Sequence, residues 1–287
     1  LLISSEGVNK LWVELVLRFL KGWSGSTYII KHPDDALEKF SKCETYLKKI
    51  IDFGILSNLL IEFIDAKKEV LEVTKKYKEL KKVCLDHLKM VKESIGVNTI
   101  DYANACYDVG KVYEHLKEGE LCVKYRLMGI DSLLKLEQSD KIKRALATAY
   151  GNLSHIYRNH LKDVENTIIC AQKSLEYKES FEKNKSYGIS LYNLGRAFAM
   201  NNEFKKSADL IQQALQYFKE SSNKEIYQKS VLEVNLGIIV NEFDKKTAEK
   251  LLKKSIQKIE SEDISIYIST EVNKRIEIGK NILNLND

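Results

Sequence analysis

From about Leu56 onward, apolar residues return every three or four positions in long blocks separated by short polar stretches, the 3.6-residue rhythm of amphipathic helices. Tyr77, Leu80, Val83, Cys84, His87 and Leu88 form one such stripe, paired with a preceding helix expected over about Leu56 to Lys75. Further upstream, Pro33 stands at a first helical turn, where its missing N–H costs nothing. It opens the stripe Ala36, Leu37, Phe40, Cys43, Leu47 and Ile50, which pairs with a helix expected from about Gly7 to Lys21. Gly96 followed by Asn98 and Thr99, and Ser139 followed by Asp140, mark a helix end and two later helix starts. Ile264, Ser265, Ile266, Tyr267 and Ile268 alternate as a strand would, but Ile264, Ile268, Val272 and Ile276 recur every four residues and apolar positions continue to Ile282. The pattern predicts a helix there, covering the element before it.

The blocks also resemble one another. Asn152-Leu153-Ser154-His155-Ile156-Tyr157 aligns with Asn193-Leu194-Gly195-Arg196-Ala197-Phe198 and with Asn235-Leu236-Gly237-Ile238-Ile239-Val240, at spacings of 41 and 42 residues. A fourth copy, Asp108-Val109-Gly110-Lys111-Val112-Tyr113, lies 44 residues earlier. Each copy leads into a second helix with small residues at matched places: Cys122, Thr167, Ser207 and Ala248, then Gly129, Ser174, Ala214 and Ser255. Two antiparallel helices approach closely only where Gly or another small residue replaces a bulky one at the crossing, and an aromatic ring fills the wedge beside it. Neither helix buries its apolar face alone, so neighbouring pairs must stack.

This pattern resembles the tetratricopeptide repeat, most clearly over Leu191 to Phe198 and then Phe204, Ser207, Ile211, Ala214 and Leu215. The period exceeds the usual ~34 residues, as in the long repeats of kinesin light chain and of the Gram-positive peptide receptors of the Rap, NprR and PlcR group. The resemblance implies an all-α fold: a right-handed superhelical solenoid of about six helix pairs with a C-terminal capping helix. Residues 1–95 are expected as degenerate N-terminal pairs, 96–260 as the repeat array and 261–287 as the cap.

Composition narrows the function. A 44% hydrophobic share excludes a wholly disordered chain, and one proline with thirteen glycines argues against a turn-rich β sandwich. The net charge of +5 is spread thinly, and Lys245, Lys246, Lys250, Lys253, Lys254 and Lys258 lie along one helix side with few aromatics, so no nucleic acid is expected on this segment. The apolar run Leu11 to Leu20 is broken by Glu14 and Arg18 and falls short of a membrane span of ~20 residues. Five cysteines sit in apolar helical patterns without CxxC spacing, which reads as buried free thiols in a reducing, cytoplasmic compartment. The chain starts at Leu1 rather than Met, so it is expected to be a piece of a longer protein whose amino-terminal domain would carry the output.

Catalytic and metal chemistry find no support in the motifs. There is no Gly-rich phosphate loop, GxSxG or HExxH, His115 with Glu118 and His160 with Asp163 lack a third ligand, and His87 falls on a buried stripe. No enzyme activity, cofactor or metal is expected.

In the repeat family, the first helix of each pair lines a concave groove. The matching positions here are Asn104, Asp108, Lys111 and His115; Thr148, Asn152, His155 and Asn159; Ile189, Asn193, Arg196 and Met200; Val231, Asn235, Ile238 and Glu242. Asparagine recurs at one place as Asn152, Asn193 and Asn235, with Asp108 there in the earliest copy. A carboxamide accepts and donates together, so a row of them holds the backbone of an extended peptide whatever its side chains. The competing reading is that each Asn satisfies a neighbouring helix or faces water. Lys111, His155 and Arg196 add positive charge suited to an acidic or carboxylate group, while Ile238 and Glu242 depart from the carboxylate clamp of chaperone-binding repeats. The expected function is a non-enzymatic scaffold binding a peptide or a partner's linear segment in the groove, without membrane contact and with homodimerisation open. The alternatives are the peptide-sensing domain of an intracellular quorum-sensing regulator, or the sensor domain of a larger signalling NTPase.

Overall fold

Helices account for all the regular structure among the described residues, ten of them paired as hairpins. The computed structural model describes residues 57–284 except 182 and 262–268, together with Asp35 and Glu38. The helix expected over 7–21, the stripe Ala36 to Ile50 apart from Glu38, and the alternating stretch Ile264 to Ile268 lie outside the described residues. The elements are α1 (Ser57–Val73), α2 (Tyr77–Ser94), α3 (Ile100–His115), α4 (Gly119–Leu134), α5 (Asp140–Ile156) with a π-helical turn at Tyr157–Leu161, α6 (Val164–Glu179), α7 (Lys185–Met200), α8 (Phe204–Leu215), α9 (Asn223–Val240), α10 (Lys245–Ile259) and α11 (Thr270–Asn284). The fold is all-α.

Local chemistry sets the boundaries. Thr99 and Ser139 accept the backbone N–H groups of Tyr102 and Ile142, and Asp163, Asn184, Ser222 and Asp244 cap α6, α7, α9 and α10 in the same way. Lys75, Lys117, Lys162 and Asn202 occupy the left-handed region, with φ between 57° and 61°, in the four turns after α1, α3, the π turn and α7. At three of these, paired bonds such as Lys117 N–H to Glu114 O and Glu118 N–H to Tyr113 O close a Schellman motif.

The matched small residues lie at the helix crossings. A Cβ at Gly195 would stand 2.8 Å from Ile211 Cγ1 and 3.1 Å from Ser207 O, and one at Gly237 would stand 2.7 Å from Leu252 Cγ. In the α5–α6 pair Ser154 takes the glycine place, and its hydroxyl donates to Thr167 O at 2.9 Å. Cys122, Thr167, Ser207 and Ala248, the partners across these crossings, are all fully buried.

Contacts divide the chain into two units, Leu1–Ser132 and Leu133–Asp287. In the second, each core is shared between one hairpin and the next. Ala208 and Ile211 of α8 pack with Leu236, Ile239 and Val240 of α9 and Ala248 of α10. Tyr187, Leu191, Ala214 and Phe218 pack with Leu232 of α9. The last helix continues the scheme, because Ile276 and Val272 of α11 close over Val234, Leu252, Ile256 and Ile259. No helix among the described residues is long and apolar enough to cross a membrane.

Candidate functional site

Helical spacing puts Asp108, Lys111 and His115 on one face of α3 and Asp65, Lys68 and Glu72 on one face of α1. The two faces meet through long side chains. Lys68 Nζ donates to Asp108 Oδ2 at 2.6 Å and to Asp65 Oδ1 at 3.1 Å, and it lies 2.9 Å from Nδ1 of His87 on α2. An ammonium only donates, so His87 Nδ1 accepts and the ring proton sits on Nε2. Burial alone would lower the Lys68 pKa, but the Asp108 and Asp65 carboxylates outweigh it and raise it. Burial, with the Lys68 charge behind it, pushes His87 down. Lys111 lies 2.6 Å from Glu72 Oε1, and His115 Nε2 lies 3.5 Å from the same oxygen while its ring stacks on Tyr77 at 4.6 Å. The structure therefore brings together three of the sequence-predicted residues, each engaged by α1 or α2.

In the second unit Asn152 is half-buried on α5 and His155 is exposed one turn later. Asn159 follows on the π turn, with its Nδ2 2.6 Å from His155 Nε2 and its Oδ1 accepting Arg158 Nε at 3.2 Å. Asn193 of α7 is half-buried and makes no side-chain hydrogen bond among the described residues. One turn on, the Arg196 guanidinium lies over the Tyr192 ring at 5.6 Å.

Asn235 differs from its two counterparts. It is only 6% exposed. Its Nδ2 donates to Tyr192 Oη at 2.8 Å and to Val231 O at 2.7 Å. Arg275 of α11 donates through Nη1 to Asn235 Oδ1, and to Tyr192 Oη at 3.3 Å. The carboxamide thus uses donor and acceptor at once, the double engagement expected of it, here with groups of its own chain. Sequence reasoning missed Tyr192, Arg275, Lys68 and Glu72 as members of these clusters. Their only signal was helical phase, and the partners lie 39 to 83 residues apart.

No group of three or more His, Cys, Asp or Glu side chains among the described residues could hold a metal ion. The arrangement offers hydrogen bonding and charge pairing.

No family model matches the sequence, and no curated protein matches it. Solved structures do. BtubC (BKLC) from P. vanneervenii is 13% identical, with 75% of this chain and 91% of that chain covered at a TM-score of 0.53. The apo form of RapI is 14% identical, with 88% and 81% covered at a TM-score of 0.56. At such identities the likeness establishes the fold: this chain is built as a helical repeat of the kind seen in these two proteins.

Proposed function

We propose that this chain is a non-enzymatic peptide-binding scaffold, the sensing part of an intracellular regulator that takes an extended peptide along the row Asn152, Asn193 and Asn235. One observation carries the reading. Asn193, held on a helix whose other face is packed into the core, presents a half-exposed carboxamide with no side-chain hydrogen bond among the described residues. Such a group pairs with both C=O and N–H of a chain that has no strand partner, giving affinity from the backbone and leaving specificity to flanking side chains. Arg196, one turn away, supplies charge for an acidic residue of the peptide. His155 and Asn159 are the further contacts assigned to it within this unit; Asp108, Lys111 and His115 hold the same register in the first unit, which is proposed by itself as a place for peptide contact. The fold likeness to RapI and the Asn-Leu-Gly repeats that resemble the Rap and NprR receptors support a sensing role, and buried free thiols suit a reducing cytoplasm.

The test is capture of a random extended-peptide library on the chain, followed by calorimetric titration of the best peptide. Asn193→Ala is expected to weaken it by ~1–2 kcal/mol, roughly five- to thirty-fold, with the melting temperature unchanged. Affinity equal to the parent's in both Asn193→Ala and Asn152→Ala would remove the asparagine row as the binding element.

A further inference from the structure

A cavity of about 140 Å³ lies in the second unit, with Thr148, one turn before Asn152 on α5, in its lining. Arg144 of α5 and Lys178 near the end of α6 line it, with Phe181 and Tyr187 as aromatic walls and Asn184 and Ser186 at the start of α7. Among the described residues, the lining holds two cations and no carboxylate. Glu179, the acidic residue next to Lys178 in the chain, is exposed and is not part of the wall.

The polar groups here are donors with spare protons. Lys178 Nζ gives two hydrogen bonds at 2.9 Å, to Ser186 O and Ser186 Oγ, both neutral acceptors. An ammonium carries three protons. Burial lowers the Lys178 pKa, with no carboxylate acting against it. Ser186 Oγ receives Lys178 and so keeps its own O–H to give. Asn184 spends its Oδ1 on the Ser186 N–H at 2.9 Å, which leaves its NH₂ group. The Arg144 guanidinium lies over Phe181, its Cζ 4.1 Å from the ring centroid, and its N–H groups make no hydrogen bond among the described residues. Lys183, over the Tyr187 ring at 5.3 Å, adds positive charge at the rim.

Guanidinium, ammonium, hydroxyl and carboxamide donors around one small space match a tetrahedral oxyanion. We propose that this cavity binds a phosphate group, free or as a small monoester, with Arg144 and Lys178 as its charge partners. The space suits a phosphate group, and whatever the phosphate is attached to would extend out of the open mouth. Binding of this kind would couple the α5–α6 hairpin to α7.

The experiment is calorimetric titration with inorganic phosphate at constant ionic strength, with sodium chloride as the blank. Saturable binding is expected in the parent, with a raised melting temperature in phosphate over chloride. Lys178→Met and Arg144→Gln are each expected to weaken binding at least tenfold, while Asn193→Ala leaves it unchanged. O-phosphoserine run in parallel separates the two sources: tighter binding than phosphate identifies a monoester, and equal or weaker binding identifies free phosphate. Arg144 is exposed, so its variant keeps the test valid if Lys178→Met folds poorly. No heat beyond the chloride blank, parent-like binding by both variants, or acetate bound as tightly as phosphate would each overturn the proposal.

Discussion

Gly195 offers the sharpest test of the hairpin geometry, because two effects of known size oppose each other there. In an exposed helix, replacing glycine by alanine stabilises by about 1 kcal/mol through helix propensity. At Gly195 the new Cβ would meet Ile211 Cγ1 at 2.8 Å, Ser207 O at 3.1 Å and Leu210 Cβ at 3.4 Å. Ile211 is fully buried and cannot swing aside, and Ser207 O belongs to the backbone of α8. Overpacking of this kind costs about 1–3 kcal/mol, so Gly195→Ala is expected to destabilise by about 1 kcal/mol net, and Gly195→Leu to open the α7–α8 hairpin. Urea unfolding followed by circular dichroism measures the total, and hydrogen exchange over residues 185–215 localises it, which matters because repeat arrays open piecewise. A partner variant sharpens the reading. Ile211→Ala alone costs roughly 2–5 kcal/mol, but it also removes the Cγ1 atom that the new Cβ strikes. The double variant should therefore be more stable than the two single effects added together, by on the order of 1 kcal/mol. A Gly195→Ala protein as stable as the parent, or strict additivity in the double variant, would refute the crossing argument.

Two further outcomes follow from the buried groups. His87 is held below its ordinary value by burial and by Lys68, against the upward pull of Asp65, Asp108 and Asp101, so its stabilising contribution is complete above pH 6.5 and shrinks as the pH falls below that. The urea midpoint should drop between pH 7 and 5 by less in His87→Gln than in the parent, and equal drops would refute the assignment. Burial pushes the Cys84 thiol up to about 12 and Cys106 and Cys170 to about 11, and it raises Cys122 as well. An aromatic disulfide reagent at pH 7.5 should therefore modify these four thiols only as fast as the chain opens, and more than one thiol reacting within seconds would contradict it.

The sequence made the hairpins legible because their crossings demand small residues at fixed spacing. Gly110, Gly195 and Gly237 mark the first helices, while Cys122, Thr167, Ser207 and Ala248 mark the second, and all four of the latter are fully buried. Thr99 and Ser139 were readable as caps because their short side chains reach the next turn's N–H groups. The turns were harder. Lys75, Lys117 and Lys162 adopt a left-handed conformation that lysine does not advertise, held by carbonyls of the preceding helix rather than by local preference. The π turn at Tyr157–Leu161, in the repeat whose crossing uses Ser154, left no signal in the apolar pattern. The polar clusters were illegible for a different reason. Tyr192 meets Arg275 across 83 residues, and Lys68 meets Asp108 across 40, so only the stacked fold brings these groups together.

Exposure and pairing then rank, within each unit by itself, what a bound peptide would displace at the proposed positions. At Asn193 it displaces no side-chain partner among the described residues. In the first unit, a peptide at Lys111 would replace Glu72 in a pair whose side chains are 40% and 34% exposed, and such a pair contributes ~0–1 kcal/mol. An acidic residue of the peptide could take that place at little cost. Asn235 is harder, since its carboxamide already holds Tyr192 and a guanidinium from α11, and bonds to charged groups are worth about 1.5–3 kcal/mol. A peptide engaging Asn235 would have to reassign Arg275, which makes Arg275 a further candidate for reading its charge. Asp108 is the most committed, because removing its carboxylate leaves the nearly buried Lys68 ammonium facing His87 with, among the described residues, the exposed Asp65 to balance it. Its place in the repeat register matches the asparagines, but the charge it carries answers Lys68 inside the fold.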